Sequence, residues 1–442
     1  RLKLKGVASF DQLAMSIKGS TDWFEASGTL TVGEDLVMDM KELLGLLGKT
    51  ESRFIKLKNG EFLALSNRFR QQLKALEAYA DTTKEGLRFH PLAAFAVEEL
   101  TSEAKDLETD AAWKAQLQKL KDAEKIKIEL PSTFKAELRT YQHEGYNWLM
   151  KLANWDVGAC LADDMGLGKT VQALAAILTR AKDGPTLIVC PSSVRINWER
   201  EAMKFAPTMK SIQFGGPERQ QILDTLKPFD MLITSYGLLQ SEEENFSKVQ
   251  FSTIVLDEAQ AIKNRSAKRS KAAMELNGNF KVITTGTPIE NHLGELWNLF
   301  RFINPGLLGS LNRFRDRFAL PIEKYADDER REQLKKLIRP FILRRRKSEV
   351  LLELPEKTEV VLTVELSPAE KAFYEALRIS ALEKLQDVQP GDGQNHLQIL
   401  AEITRLRQAC CNPQLVNKIL VYPNPTSDMI FVKMDGISLD IS

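Results

Sequence analysis

At 442 residues the chain is long enough for two or three domains, each with a core of its own. Hydrophobic residues at 43% and charged residues at 27% exclude a disordered chain, and no apolar stretch is long enough to span a bilayer. A net charge of +1 means that a polyanionic partner would be met by a local patch, not by the whole surface.

The opening RLKLKGVASF is basic but has no sustained apolar core, so it does not read as a signal peptide. The run DWFEASGTLTV alternates like a strand, and LVMDMKELLGLLG has helical periodicity. In RFIKLKNGEFLALS, two alternating arms flank Asn59-Gly60, the strongest short hairpin signal. From Asn67 to about Lys127 the pattern is helical and charged, and TSEAKDLETDAAWKAQLQKLKDAEK reads as a solvated helix or connector. Residues 1–130 are therefore expected to form an accessory α+β module without catalytic chemistry.

From Leu138 short apolar runs alternate with amphipathic helices. The strand candidates are VGACLA, TLIVC, DMLITSY, STIVLDEA and KVITTG, with VQALAAILTRA and VRINWEREAMKF among the helices between them. Such alternation predicts an α/β fold, a parallel sheet with helices on both faces, over residues 131–320. Residues 321–416 read as mainly helical and basic, with one extended passage, TEVVLTVELS. In 417–442, two apolar runs flank a Pro-Asn-Pro turn. The four cysteines, Cys160, Cys190, Cys410 and Cys411, form no CxxC pair, so no zinc site or disulfide framework is expected, and all four read as small buried hydrophobes.

The chemistry centres on LADDMGLGKT, Leu161 to Thr170, between a strand and a helix. A phosphate cradle needs glycines, so that backbone N–H groups can turn inward, and a helix N-terminus aimed at the anion. Gly166 and Gly168 meet the first need and the helix starting near Lys169 the second, with Asp164, Met165 and Leu167 completing the loop. Lys169 is placed to reach the β/γ-phosphates, and the Thr170 hydroxyl to ligate Mg²⁺. The strict P-loop pattern puts glycine six positions before the lysine; here that position is Asp163. STIVLDEAQ supplies the second half, with Asp257 and Glu258 at the end of an apolar strand, where parallel sheets bind their ligands. Asp257 would hold Mg²⁺, directly or through its outer sphere, and Glu258 would orient and deprotonate water. The pair of motifs in one alternating domain indicates an ATP or GTP site.

LRTYQHEGYNWL, LADDMGLGKT, LIVCPSSVRINWEREAMKF, LITSY, VLDEAQAIKN, TTGTPIENHLGELWNLFRFINPGLLGS, FILRRRKSEV, ELPEKTE and LRQACCNPQL follow in that order. Over roughly residues 131 to 416 this set resembles the first RecA-like lobe of SWI/SNF-type helicase-like ATPases of superfamily two. The region before it resembles the one upstream of the lobe in bacterial members. The resemblance implies ATP and Mg²⁺ as cofactors, duplex DNA contacted through its backbone, DNA-bound proteins as further partners, no membrane, and a cytoplasmic, nucleoid-associated setting. It implies that Gln142 reads adenine with Arg139 nearby, and that Gln260 with Thr284, Thr285, Gly286 and Thr287 couples the γ-phosphate to DNA. It also implies that Ser192, Ser193, Thr234 and Ser235 touch DNA phosphates. The basic run Arg344, Arg345, Arg346 and Lys347 reads as a phosphate contact or a brace between lobes, and the resemblance supports a role at the moving interface. By residue type alone, the threonines could be turn formers, Gln142 a solvated helix residue, and the arginine run an exposed face.

The same resemblance implies a second lobe with arginine fingers, whose hallmarks are not found after LRQACCNPQL, so weak hydrolysis is expected of this chain. ILVYPNPTSDMIFV resembles the start of a type A C-terminal sorting domain of the type IX secretion system. Two alternatives to a translocase lobe stand beside it: a non-catalytic nucleic-acid or partner-binding fragment, and a secreted protein.

Overall fold

Buried and exposed side chains alternate along Phe24–Val32, as its sequence expects of a half-buried strand. The computed structural model describes residues 3–20, 22–33, 36–48, 52–83, 86–125, 128–350, 363, 365–386, 393–416, 420–423, 430–434 and 437–441. The chain clusters into two compact units, Arg1–Leu354 and Pro355–Ser442.

The first part of unit 1 is α+β. Phe24–Val32 pairs antiparallel with Leu13–Gly19, Leu87–Phe89 and Leu36–Asp39. The hairpin forms as the sequence predicts: Phe54–Lys56 and Phe62–Leu65 are antiparallel, and Gly60 takes φ +84° in the turn. The run read as one helix from Leu36 does not start there. Leu36–Asp39 is a strand, and the helix Met40–Leu47 begins only after Asp39, whose carboxylate accepts from the Lys41 amide as an N-cap.

The charged stretch after Asn67 is not continuous helix. Strands Ala80–Thr82, Leu87–Phe89 and Asp106–Thr109 interrupt it. Nor is its last helix, Ala111–Lys125, a solvated connector. Trp113 is 2% exposed and meets Phe24 and Phe89 edge-on at 5.1 and 5.7 Å. Such ring pairs contribute roughly 0.5–1.5 kcal/mol beyond their buried area, which outweighs the charge pattern of the opposite face. This module is tied to the rest of the unit by Asp81, which pairs with Arg313 and, at 2.7 Å, with Arg317. The Tyr79 hydroxyl donates to the Gln333 carbonyl at 3.2 Å.

The larger sheet has seven parallel strands: β1 (Ala159–Leu161), β2 (Thr186–Cys190), β3 (Lys210–Gln213), β4 (Asp230–Ser235), β5 (Gln250–Asp257), β6 (Asn277–Thr284) and β7 (Ile342–Leu343). Their order is β3-β4-β2-β5-β6-β1-β7. The main helices are α1 (Thr140–Asn154), α2 (Lys169–Arg180), α3 (Arg195–Phe205), α4 (Tyr236–Ser241), α5 (Lys268–Met274) and α6 (Leu293–Ile303). The chain moves one way along the sheet from β1 to β3 and back from β3 to β7. Right-handed crossovers therefore put α2 and α3 on one face and α4, α5 and α6 on the other, the RecA-like arrangement. β1, β2, β4, β5 and β6 match the apolar runs. β3 and β7 have no such run because they are the edges of the sheet, four and two residues long and only half-buried.

In unit 2 the helices Pro368–Gln386 and Gly393–Cys411 are joined by a small cluster of Phe373, Leu377, Ala409 and Val416. Cys160 and Cys190 are buried as expected, whereas Cys410 and Cys411 are exposed. Ala409 takes the inward position on that helix, and the next two residues rotate off the face. Leu420–Pro423, Ile430–Met434 and Ile437–Ile441 form an antiparallel three-stranded sheet. The turn after Pro423 and most of TEVVLTVELS lie outside the described residues. Among the described residues, no helix is long and apolar enough to cross a membrane.

Candidate functional site

The loop between β1 and α2 and the turn after β5 meet at the C-terminal edge of the parallel sheet, and each side has its own way of holding shape. On the loop side, Gly166 and Gly168 adopt φ +84° and +78°, a region L-side chains avoid. Gly168 is also the N-cap of α2, and a Cβ there would sit 2.5 Å from the Gln142 amide nitrogen. The N-terminus of α2 thus opens onto the loop with its first amides unbonded within the helix, the standard geometry for an anion.

Lys169 donates to the carbonyls of Asp163 and Asp164 at 2.8 and 3.3 Å. Burial lowers its affinity for the proton, opposed by the charges of Glu258, Asp163, Asp257 and Asp164. Carboxylates of both motifs thus act on the lysine.

Asp163, which stands where the P-loop pattern has glycine, is fully buried. Its carboxylate is met by Arg345 from just past β7: Nη2 lies 2.5 Å from Oδ2, and Nε and the backbone amide reach Oδ1 at 3.0 and 3.1 Å. Arg345 also donates to Gln172 Oε1 at 2.8 Å and to the Tyr141 carbonyl, and its guanidinium lies 5.4 Å from the Tyr141 ring centre. A Cβ on Gly145 of α1 would overlap Gln172, so this network requires glycine there. The basic run is thereby divided. Arg345 points inward, while Arg344 and Arg346 are exposed.

On the strand side, Asp257 sits opposite Thr284 in register. Its oxygens accept from Trp198 Nε1 at 2.8 Å, Thr284 Oγ1 at 2.6 Å and the Glu258 amide at 3.0 Å, and the Tyr236 hydroxyl donates to its backbone carbonyl at 2.9 Å. Full burial, with Asp257 beside it, drives the Tyr236 hydroxyl far above its ordinary range, so it is a neutral donor. Glu258 is held at φ +49°. Such a backbone costs about 1–3 kcal/mol and persists only where surrounding contacts enforce it.

A polar chain continues from Glu258. Gln260 Nε2 donates to Glu258 Oε2 at 2.8 Å, Thr285 Oγ1 to Gln260 Oε1 at 3.2 Å, and the Thr287 amide to Thr285 Oγ1 at 3.1 Å. Thr287 then donates to Glu290 at 2.7 Å, and Lys263 pairs with Glu290 and Glu295 at 3.1 and 3.3 Å.

The remaining sequence candidates divide by exposure. Gln142 donates to the Leu167 carbonyl at 3.2 Å and accepts from the Arg139 amide at 3.0 Å. Met165 is 67% exposed at the loop tip, against Gly286. Ser192 and Ser193 are exposed at the end of β2, whereas Thr234 is fully buried. The Ser235 hydroxyl caps α4 by accepting from the Leu238 amide at 3.3 Å. Sequence reasoning did not single out Trp198, Tyr236, Gln172, Glu290 or Glu295. The one available signal was an aspartate in a glycine position with an arginine run far downstream.

An Mg²⁺-nucleotide fits these donors. Among the described residues, no group of three or more His, Cys, Asp or Glu could hold a metal by itself. Mg²⁺ keeps waters and shares one or two protein oxygens with substrate phosphates. Asp257 uses three of roughly four acceptor positions, leaving one for a metal-bound water.

Residues 141–415 match the SNF2-related domain family. YwqA of Bacillus subtilis (strain 168), whose name describes an ATP-dependent helicase/translocase, is 38% identical over 383 residues, 81% of this chain and 41% of that protein. The chromatin-remodeling ATPase INO80 of Arabidopsis thaliana is 36% identical over 315 residues, 66% of this chain and 21% of that protein. A solved structure, the Sulfolobus solfataricus SWI2/SNF2 ATPase core in complex with dsDNA, is 38% identical and covers 66% of this chain and 62% of that one, with a TM-score of 0.48. The chain thus spans less than half the length of these two curated relatives.

Proposed function

The chain belongs to the SNF2-related domain family, and from that premise we propose that it is the ATP-binding lobe of a DNA-dependent ATPase that moves on duplex DNA or remodels protein–DNA complexes. The observation that supports this most is the convergence of Lys169 with Asp257 and Glu258 at one edge of a parallel sheet. Lys169 and the α2 N-terminus hold the β/γ-phosphates. Glu258, fixed by Gln260, accepts the proton of the attacking water. Thr170 and Asp257 are the residues that would hold Mg²⁺, which when bound neutralises phosphate charge. Gln142, with Arg139 beside it, turns toward the adenine edge once nucleotide displaces its bond to Leu167.

Exposed Ser192 and Ser193 are suited to touch phosphates without reading sequence. The Gln260–Thr287 chain carries DNA engagement to Glu258, and Thr284 holds the neighbouring Asp257. Thr234, expected at the DNA, is fully buried, and Ser235 is engaged as the cap of α4. Arg344 and Arg346 offer exposed charge toward DNA. Duplex DNA and DNA-bound proteins are the partners of this reading, and the cytoplasmic nucleoid its setting. Steady-state ATP hydrolysis by the 442-residue chain, with and without duplex DNA, tests it. We expect slow, Mg²⁺-dependent turnover that duplex DNA raises and Lys169→Ala removes. Absence of ATP binding, or turnover indifferent to Lys169→Ala, would sink it.

A further inference from the structure

Two amides at the start of the loop, those of Ala162 and Asp164, are turned away from any anion. The Ala162 amide donates to the Leu343 carbonyl at 2.7 Å and the Asp164 amide to the Arg345 carbonyl at 3.0 Å. The β1–β7 pairing thus runs on past both strands, and the first amide of the loop is bonded to the segment that leaves β7. That same segment returns a cation. Arg345 is locked onto buried Asp163, and two residues on, the Lys347 amide donates to Asp164 Oδ2 at 3.1 Å. The side chain of Lys347 then lies across the face of Gly166: a Cβ built on that glycine would be 3.4 Å from Nζ and 3.5 Å from Cε.

Lys347 is exposed, and its ammonium has no ion-pair partner among the described residues. This contrasts with Lys169, which is half-buried and bonded to two loop carbonyls. An unpaired ammonium at the mouth of a phosphate loop is a ready contact for a polyphosphate, with three donors to offer.

We propose that Lys347 is a second phosphate-binding cation of this site, contacting the polyphosphate of a bound nucleoside triphosphate from the β7 side of the loop, across β1 and β6 from Asp257. Resting on the ATP reading above, it adds a residue supplied by the segment after β7. Arg345 and Asp163 seat it, and the geometry of Gly166 leaves room for its side chain.

Equilibrium binding of ATP to the full chain in Mg²⁺ tests this, with wild type, Lys347→Met, Lys347→Arg and Lys169→Ala compared at two salt concentrations. Lys347→Met should weaken ATP binding about 5- to 20-fold and flatten its salt dependence, while Lys347→Arg stays within about threefold of wild type. Thermal melting should be unchanged in both, since the side chain is exposed and its backbone bond to Asp164 survives substitution. If Lys347→Met binds ATP as tightly as wild type while Lys169→Ala has lost it, the proposal falls and the ATP reading stands. If wild type itself binds no ATP, both fall.

Discussion

The two sides of the site are built on opposite electrostatic plans. The loop side depends on one charged pair, Asp163 with Arg345, sealed beneath the phosphate cradle. The strand side surrounds Asp257 with neutral donors: Trp198, Thr284 and the Glu258 amide, with Tyr236 on its backbone carbonyl. A buried pair is strong while whole and costly once one partner goes, because the survivor stays buried and unpaired. A ring of neutral donors loses one bond at a time. The loop should therefore fail abruptly and the strand end by degrees.

The sharpest break is Arg345→Met. It strands the Asp163 carboxylate and should cost about 3–5 kcal/mol in denaturant unfolding. The double variant Asp163→Asn with Arg345→Met should recover most of that loss, and failure to recover it would mean that the pair is not what holds the loop. Lys169→Ala comes next, cutting hydrolysis at least about 100-fold with the melting temperature nearly unchanged, since its contacts are to loop carbonyls and not to a paired charge.

On the strand side, Trp198→Phe keeps most of the buried volume and removes one donor to Asp257. A loss of about 1–3 kcal/mol in stability is expected. A collapse as large as that of Arg345→Met would erase the contrast between the two plans.

Acid supplies the smallest effect and a control outside both sides. His90 is held neutral by burial, its pKa lowered to about 4, against a hydrogen bond to Pro305 that favours the proton. The folded state thus binds the proton less well than the unfolded one, so stability is intact above the unfolded pKa near 6.5 and falls as pH drops through 6.5 toward 4. Between pH 7 and pH 6 the loss should be about 0.7 kcal/mol. It should be the same in Trp198→Phe, and absent in His90→Gln.

What could be read in advance follows the reach of each interaction along the chain. β1, β2, β4, β5 and β6 were legible because apolar runs between turn residues report burial on both faces. β3 and β7 were not, because an edge strand needs few apolar residues and is recruited by its neighbour's hydrogen bonds. Trp113 shows the reverse error. The charges around it suggested solvent, but one aromatic residue on the right face decides which side of a helix is buried.

The sequence by itself picked out the candidate residues, Lys169 after two glycines and Asp257-Glu258 at the end of an apolar strand, because each motif is a pattern of neighbouring residues. Only the tertiary structure decided what holds them. Asp163 and Arg345 are 182 residues apart, and nothing in the composition of an arginine run says which guanidinium turns inward. That choice follows from which carboxylate the fold has already taken out of water, since a buried charge must find its partner wherever in the chain it lies.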